Sequence, residues 1–302
     1  MPPGGIDPAA DLAALSRVEA AFGWACRLDV EVVKPGNVSL ASAGHDMVAA
    51  QFLSSAAAAA GPLLRTGAPV GERVEGAVVA TRHAVGCNTN LGILLLCAPL
   101  ALAAERAGLG DEGGLLAELH KVLAALDVVD ARAAFRAIAL ANPGGLGKPA
   151  EQDVSATPTV DLRSAMALAA DRDLIARQYA QGFDDLVTVG LHPFLRETDR
   201  GHALPLRVQR TFLGFLSAFP DSHIARKFGL ETARQVQDEA KPWLAAIEHD
   251  GMAAASPRFA AWDASLKQRG LNPGTSADLT VATLFTAALV RPALTGGGQR
   301  SA

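Results

Sequence analysis

Residues 91–104 restrict the fold of this chain more than any other segment. They form an almost unbroken apolar run that contains Pro99 and is shorter than the roughly 20 residues that a membrane-spanning helix needs. A helix that is apolar on all sides has to be surrounded by other elements. The run therefore predicts a buried central helix over residues 89–107, in a protein that does not cross a membrane.

The rest of the chain has the composition of an all-α protein. Aromatic residues make up 5% of the 302 residues, alternation of β-branched residues is rare, and Ala and Leu dominate segments whose charges recur at helical spacing. We expect a multi-helix bundle with further helices at about residues 9–33, 45–60, 71–85, 112–126, 131–140, 162–189, 203–218, 222–228, 230–250, 256–269 and 276–290.

Hydrophobic residues account for 50% of the chain, which is enough to build one large core. We expect a single all-α domain over residues 1–302. The irregular stretch 151–158 is where a subdomain break would fall, near 150–160, and the Gly-rich residues 295–302 are expected to form a disordered tail.

Charge and cysteine content limit the partners and the compartment. The net charge of -4, with 19% charged residues, argues against nucleic acid as the main partner. The N-terminal residues lack the cationic and apolar regions of a signal peptide. Cys26, Cys87 and Cys97 are odd in number and lack CxxC spacing, as is typical of reduced thiols. These features predict a cytoplasmic protein with small-molecule partners, and they leave a homo-oligomer open.

The first candidate site is a break in the helical pattern. The loop from Lys34 to Asn37, which includes Gly36, is followed by His45 and Asp46. A mobile ammonium can neutralise phosphate, and an Asp at a helix start can hold a divalent cation that bridges phosphate oxygens. The alternative is a surface loop in which Asp46 only caps the next helix.

The second candidate lies at the start of the central helix. Asn88, Thr89 and Asn90 precede Gly92, and the free N–H groups of a helix start favour an anion. The alternative, in which Asn88 or Thr89 caps the helix and Gly92 permits close packing, is compatible with this function.

The third candidate is the glycine-rich stretch 142–148. Gly144 and Gly145 could let backbone amides face a phosphate, with Lys148 adding charge. The stretch lacks the order of residues in a P-loop and follows no predicted strand, so a plain turn is the alternative.

The last two candidates lie near the C-terminal end. Asp221 can cap a short helix whose next turn presents Arg226 and Lys227 as a cationic pair, or those residues form a solvated basic turn. Ser276 or Thr275 would cap the last helix, and Asp278 in its first turn suits the helix dipole without any ligand.

The combination of these five junctions is more informative than any one of them. Several of them carry Gly, Asn and a charged residue, where an ordinary connection would need only one or two of these. Antiparallel helices could bring alternate junctions to one end of a bundle. A site there would have carboxylates for a metal and several groups for phosphates.

In this order, the junctions resemble those of the triphosphoribosyl-dephospho-CoA synthase family. The resemblance spans about residues 17–290. It implies an all-α transferase of cofactor biosynthesis that takes ATP and 3'-dephospho-CoA, joins a ribose carbon to a ribose hydroxyl and releases adenine, with Mg²⁺ on the triphosphate. The matching motifs are Lys34-Pro-Gly-Asn-Val, Gly44-His-Asp-Met, Asn88-Thr-Asn-Leu-Gly, Pro143-Gly-Gly-Leu-Gly, Asp221-Ser-His with Arg226 and Gly229, and Pro273-Gly-Thr-Ser-Ala-Asp-Leu.

One motif departs from the family pattern. The citrate-lyase branch has Asn-Thr-His-Lys-Gly where this chain has Asn90 and Leu91 in place of His and Lys. The motif is more similar to the branch found in archaea and methylotrophic bacteria. The acceptor, and ATP as the donor, therefore stay open, and an enzyme of another cofactor pathway, such as that of a C1-carrier, is an alternative.

The resemblance and the residue types together suggest roles. Loss of adenine leaves positive charge at the anomeric carbon, which a carboxylate stabilises. Asp46, with Glu31 and Asp278 as weaker candidates, would do this, and Asp46 and Asp278 would hold Mg²⁺. His45 would take the proton of the attacking hydroxyl. Candidates for binding the triphosphate or other parts of the substrates are Lys34, Gly36, Asn37, Arg82, Asn88, Thr89, Asn90, Gly144, Gly145, Arg226, Lys227 and Ser276.

Two other classes remain as alternatives. An HD-type phosphohydrolase is also all-α and uses a His-Asp dyad, but it needs a further upstream His, and His45 is the first histidine of the chain. A helical scaffold without catalytic activity fits the composition, but it leaves the unusual junctions unexplained.

Overall fold

The computed structural model describes residues 8–41, 48–142, 157–250 and 256–296. These residues form fifteen α-helices and one π-helix, with no strand among them. The all-α prediction is therefore confirmed. The α-helices are α1 Pro8–Glu31, α2 Ala49–Leu63, α3 Val70–Val85, α4 Leu91–Ala107, α5 Glu112–Ala124, α6 Val128–Ala141, α7 Leu162–Ala167, α8 Leu174–Gln181, α9 His192–Asp199, α10 Leu204–Ala218, α11 Ser222–Phe228, α12 Leu230–Asp250, α13 Pro257–Gln268, α14 Gly274–Val290 and α15 Ala293–Gly296; the π-helix, Leu186–Leu191, precedes α9.

Two apolar helices, α4 and α14, form the centre of the fold. Every residue from 91 to 104 is buried, as the sequence predicted. Helix α14 is buried over nearly its whole length and packs against α1, α4 and α10. The ring of Phe22 on α1 meets the edge of Phe285 on α14 at 5.9 Å between centroids. Burial of these apolar faces provides the main stabilisation.

A second hydrophobic cluster lies between α10, α11, α12 and α13. Three aromatic side chains dominate it, and the rings of Trp243 and Trp262 stack at 5.9 Å with Phe259 against both. This cluster supports the start of α14 through Leu271 and Ala277. The position of the α14 N-terminus is therefore fixed by packing on both sides.

The prediction of one long helix is wrong. Residues 162–189 do not form a single helix, because α8 starts anew where the Asp173 side chain accepts hydrogen bonds from the N–H groups of Ile175 and Ala176. Helix α8 then ends at Gly182, which has a left-handed backbone. Local side-chain to backbone bonds of this kind compete with helix continuation.

The boundaries of α2 also differ from expectation. The helix begins at Ala49 rather than near residue 45, because Val48 is extended and its N–H donates to Oε1 of Gln51 at 3.0 Å. It runs through Pro62 and ends at Leu63 instead of stopping at the Gly-Pro pair. Pro62 lies in the last turn and removes one backbone hydrogen bond there.

Among the described helices, none is by itself long and apolar enough to span a membrane; α4 and α5 pass such a test only as a pair bent by 120°. The predicted subdomain break and the tail beyond residue 296 lie outside the described residues. The single domain and the oligomeric state stay predictions.

Candidate active site

The N-terminus of α14 is the point at which the candidate junctions meet. The loop after α1 reaches it through Asn37, whose Nδ2 donates to Oδ1 of Asn272 at 3.0 Å. The N–H of Gly36 donates to Oδ1 of Asp263 on α13 at 2.8 Å. Gly36 has φ +80, and a Cβ there would lie 2.7 Å from the carbonyl oxygen of Leu271. Only glycine fits this conformation and this approach.

The start of α11 is tied to the start of α14 by Asp221. Its carboxylate accepts hydrogen bonds from the N–H groups of His223 and Ile224, which caps α11 as the sequence predicted. The other oxygen accepts from both the N–H and the hydroxyl of Ser276, each at 2.8 Å. The N–H of His223 also donates to Oγ1 of Thr275 at 3.2 Å. Burial raises the pKa of the Asp221 carboxyl, and the bonds from Ser276 oppose that shift.

The start of α8 joins the same region through Asp173. Its carboxylate accepts a hydrogen bond from Nη1 of Arg226 on α11 at 2.7 Å. The N–H of Leu174 donates to the hydroxyl of Ser222 at 2.8 Å. Helices α8, α11 and α14 therefore begin next to one another.

The start of α4 meets the start of α14 at Gly92 and Asp278. A Cβ on Gly92 would lie 2.1 Å from Oδ2 of Asp278, so the carboxylate occupies the space that a side chain would need. On the preceding residues, Oδ1 of Asn88 accepts from the N–H of Leu91 at 3.1 Å, and the hydroxyl of Thr89 donates to that of Ser55 at 2.6 Å. The N-cap of α4 is Asn90, which makes no side-chain capping bond, so neither Asn88 nor Thr89 is the predicted cap; Asn88 instead accepts from the first residue of the helix.

The charged groups of the site act on the carboxyl group of Asp278. Its side chain is half-buried. Burial raises the pKa of its carboxyl well above the ordinary 3.8, and the nearby carboxylates of Asp29, Asp221 and Asp173 raise it further. Only Arg226 lowers this pKa. Within the described part of the chain, no donor forms a hydrogen bond to this carboxylate. Among the described residues, Asp278 thus faces several negative groups, and the one cation that lowers its pKa is Arg226.

A sequence profile of the ATP:dephospho-CoA triphosphoribosyl transferase family matches residues 15–295. The chain belongs to this family. It is therefore a transferase, and the match covers every candidate junction. No curated protein sequence matches the chain at a significant level.

A solved structure supports the assignment. The crystal structure of a candidate triphosphoribosyl-dephospho-CoA synthase from Archaeoglobus fulgidus is 25% identical in sequence, with a TM-score of 0.62. The match covers 80% of this chain and 99% of that protein. The family and the fold thus agree across most of the transferase.

The environment of Lys34 differs from the one that the sequence predicted. The sequence predicted a mobile ammonium, but the side chain is fully buried. Its Nζ lies 3.0 Å from Oδ1 of Asp29 and also donates to the backbone oxygen of that residue. The ammonium faces inward because α1 ends just before the loop turns back over it. Lys34 therefore compensates a carboxylate that belongs to the site.

Ser276 also has a structural partner. It was expected to cap α14, but the helix begins two residues earlier, and the buried hydroxyl donates to Asp221 instead. Asn90 is buried, and its Nδ2 has no hydrogen-bond partner among the described residues.

Other candidate residues lie at the surface or outside the described ranges. The side chains of Glu31, Arg82 and Lys227 are exposed. Arg226 is occupied by Asp173. The roles assigned to His45, Asp46, Gly144 and Gly145 stay predictions, because these residues lie outside the described residues.

Sequence reasoning missed two carboxylates of the site. Asp29 was given no role, although a carboxylate on the apolar face of a helix is a signal of a buried partner. Asp173 was hidden inside a helix predicted to be continuous, although an Asp before an apolar run is a common helix start.

Proposed function

We propose that this transferase moves the 5-triphosphoribosyl group of ATP to a ribose hydroxyl of 3'-dephospho-CoA. The bond between the ribose anomeric carbon and adenine breaks, a bond from that carbon to the hydroxyl oxygen forms, and the hydroxyl proton leaves with adenine. The observation that supports this most directly is the placement of Asp278 at the meeting point of the α4 and α14 starts, in a chain of this family.

The chemistry needs negative charge near the anomeric carbon. Breaking the bond to adenine leaves an oxocarbenium-like centre, which a carboxylate stabilises in the transition state. Asp278 suits this role because it has no competing hydrogen bond from the described residues and remains half-buried. Asp29 and Asp173 add to the negative field, as their effect on the pKa of Asp278 indicates.

The triphosphate needs donors and positive charge. At the starts of α4 and α14, the N–H groups other than those bonded to Asn88 and Asp221 favour an anion. The exposed side chains of Arg82 and Lys227 are the proposed cationic contacts. We assign proton transfer from the hydroxyl to His45, because the unperturbed pKa of a histidine side chain lies near neutrality.

Magnesium fits the residues that are present. Within the described part of the chain, no three His, Cys, Asp or Glu residues converge closely enough to hold a metal ion alone. Mg²⁺ usually takes only one or two carboxylates together with substrate phosphates. Asp278 and Asp46 are the proposed ligands, and the mutual repulsion at Asp278 favours a cation there. When bound, the ion would neutralise charge on the triphosphate.

The three unpaired cysteines support a cytoplasmic location, since free thiols persist in a reducing compartment.

The decisive assay mixes the purified protein with ATP, Mg²⁺ and 3'-dephospho-CoA and measures free adenine by chromatography. We expect adenine and the coupled product in equal amounts. Adenine no higher than in the reaction without enzyme would reject the proposal, and release without a coupled product would indicate a different acceptor.

A further inference from the structure

A cleft of about 340 Å³ lies between α1 and α2. Most of its lining is apolar or carries no side chain and comes from α1 and α2, namely Phe22, Gly23, Cys26, Leu53, Ala56, Ala57 and Ala60. The two charged lining residues, Glu19 and Arg27, both belong to α1. The volume falls at the lower end of the range of roughly 300–1,000 Å³ for small-molecule sites. The cleft suits a narrow, uncharged group.

One end of the cleft adjoins the carboxylates of the candidate active site. Cys26 of the cleft wall lies three residues before Asp29 on α1, so the two residues share a face of the helix. In keeping with this, the carboxylates of Asp29 and Asp278, after burial and the Cys97 thiol, raise the pKa of Cys26. On the opposite wall, Ser55 precedes Ala56 and accepts the hydrogen bond of Thr89 at the start of α4. The cleft therefore lies beside helix segments that also carry residues of the site.

The charged residues of α1 have a definite order along this path. Asp29 belongs to the carboxylate cluster, Arg27 lies at the near end of the cleft, and Glu19 lies at the far end. At 1.5 Å per residue, the path from Asp29 to Glu19 is about 15 Å long. Arg27 is exposed, and its side chain forms no ion pair or hydrogen bond with any residue that the structure describes.

We infer that the cleft binds the pantetheine arm of the acceptor, with Arg27 at its pyrophosphate. In dephospho-CoA the reacting ribose, the pyrophosphate and the arm follow one another, which is the order of Asp29, Arg27 and the cleft along α1. The arm is narrow, carries no charge and exposes methyl and methylene groups, in keeping with the apolar walls. This inference rests on the proposed function, because it assumes dephospho-CoA as the acceptor.

Gly23 allows a direct test. It lies in the cleft wall, and a Cβ at this position would meet no atom within 4 Å, so Gly23→Leu fills the cleft without disturbing the fold. Gly61 on α2 is also helical and equally open but does not line the cleft, which makes Gly61→Leu the matched control. Ala57→Leu blocks the cleft from the opposite wall.

Steady-state adenine release gives the readout. For Gly23→Leu and Ala57→Leu we expect KM for dephospho-CoA to rise by at least about tenfold, since a misfit of methylene size costs about that much. KM for ATP should stay within about twofold, and Gly61→Leu should match the wild type. Arg27→Gln should also raise KM for dephospho-CoA, by about tenfold for one lost charged contact, and Arg27→Lys should restore most of it.

The outcomes separate the two proposals. An active wild-type enzyme whose KM for dephospho-CoA is unchanged in Gly23→Leu overturns the cleft assignment alone. Equal rises in both KM values also overturn it, because they indicate a general disturbance. Absence of adenine release by the wild type overturns the proposed function and the cleft assignment together.

Discussion

The carboxylate of Asp278 occupies the space beside Gly92 where any other residue would carry its Cβ. Oδ2 lies 2.1 Å and Cγ 2.6 Å from that point, and Cδ1 of Ile175 lies 2.7 Å from it. The start of the central helix thus holds the position of the carboxylate to which we assign the chemistry. The close approach of Asp278 therefore explains why a glycine ends the Asn88-to-Gly92 motif.

Gly92→Ala should therefore move Asp278. The carboxylate can shift because it is the end of a side chain, but a misplacement of about 1 Å can cost up to about 100-fold in rate. We expect kcat for adenine release to fall by about 10- to 100-fold, with a smaller effect on the melting temperature. Gly61→Ala, at an open helical position, is the control, and equal activity of the two variants would contradict this role of Gly92.

Asp278→Asn should stabilise the protein while it lowers activity. A carboxyl whose pKa is raised in the folded state favours its protonated form, so its contribution is fully present below the ordinary 3.8 and is lost as pH rises through the folded pKa. At neutral pH the wild type therefore bears a penalty that the amide removes. We expect a melting temperature higher by about 2 °C or more near pH 7.5, with a smaller gain near pH 4.

The activity of the same variant should fall by at least about 100-fold, as for other losses of charge stabilisation in a transition state. Asp184→Asn, at an exposed position, serves as the control and should change neither quantity. A variant that gains no stability at neutral pH would show that the crowding of carboxylates around Asp278 is compensated.

Asp221→Ala should destabilise the protein more than loss of an ordinary helix cap. It leaves the buried N–H groups of Ile224 and Ser276 without their acceptor, and each unpaired buried donor costs about 1–3 kcal/mol. We expect a loss of at least about 3 kcal/mol in the free energy of unfolding, measured with urea. Asp161→Ala, which removes a cap at the more exposed start of α7, should cost only about 1 kcal/mol.

Gly36→Ala and Gly67→Ala separate backbone strain from close packing. Both glycines have positive φ, +80 and +74, but a Cβ meets the backbone of Leu271 at Gly36 and open space at Gly67. Gly67→Ala should cost about 1–2 kcal/mol, the price of a left-handed backbone alone. Gly36→Ala should cost about 1–3 kcal/mol more because of overpacking, and similar values in urea unfolding would refute the close contact.

Lys34→Met should destabilise the fold by leaving Asp29 buried without its cation. Removal of one partner of a buried pair costs about 3–5 kcal/mol. The double variant with Asp29→Asn should recover most of that loss, because the uncompensated charge is gone. Arg65→Ala breaks an exposed pair with Glu72 and should cost less than about 1 kcal/mol. A small loss in Lys34→Met would indicate that water reaches Asp29.

The sequence predicted the helices where local signals were unopposed. Helices α11 and α12 begin and end where expected, since Asp221 caps the first and Gly229 separates them. The split of residues 162–189 was missed because a helical pattern continues across Asp173, whose cap competes with it only through its side chain. The periodicity of apolar residues indicates which residues can share a helix face. A helix cap depends instead on the rotamer of a single side chain, which periodicity does not show.

The sequence alone determined the fold class, the central helix and the set of junctions with unusual polar residues, because these depend on short-range periodicity and turn chemistry. Only the tertiary structure decided what the polar residues do. It buried Lys34 against Asp29, paired Ser276 with Asp221, and left Asp278 beside Gly92 with its negative neighbours. Those pairings depend on which helix ends meet, and that is set by the packing of apolar faces far apart in the chain.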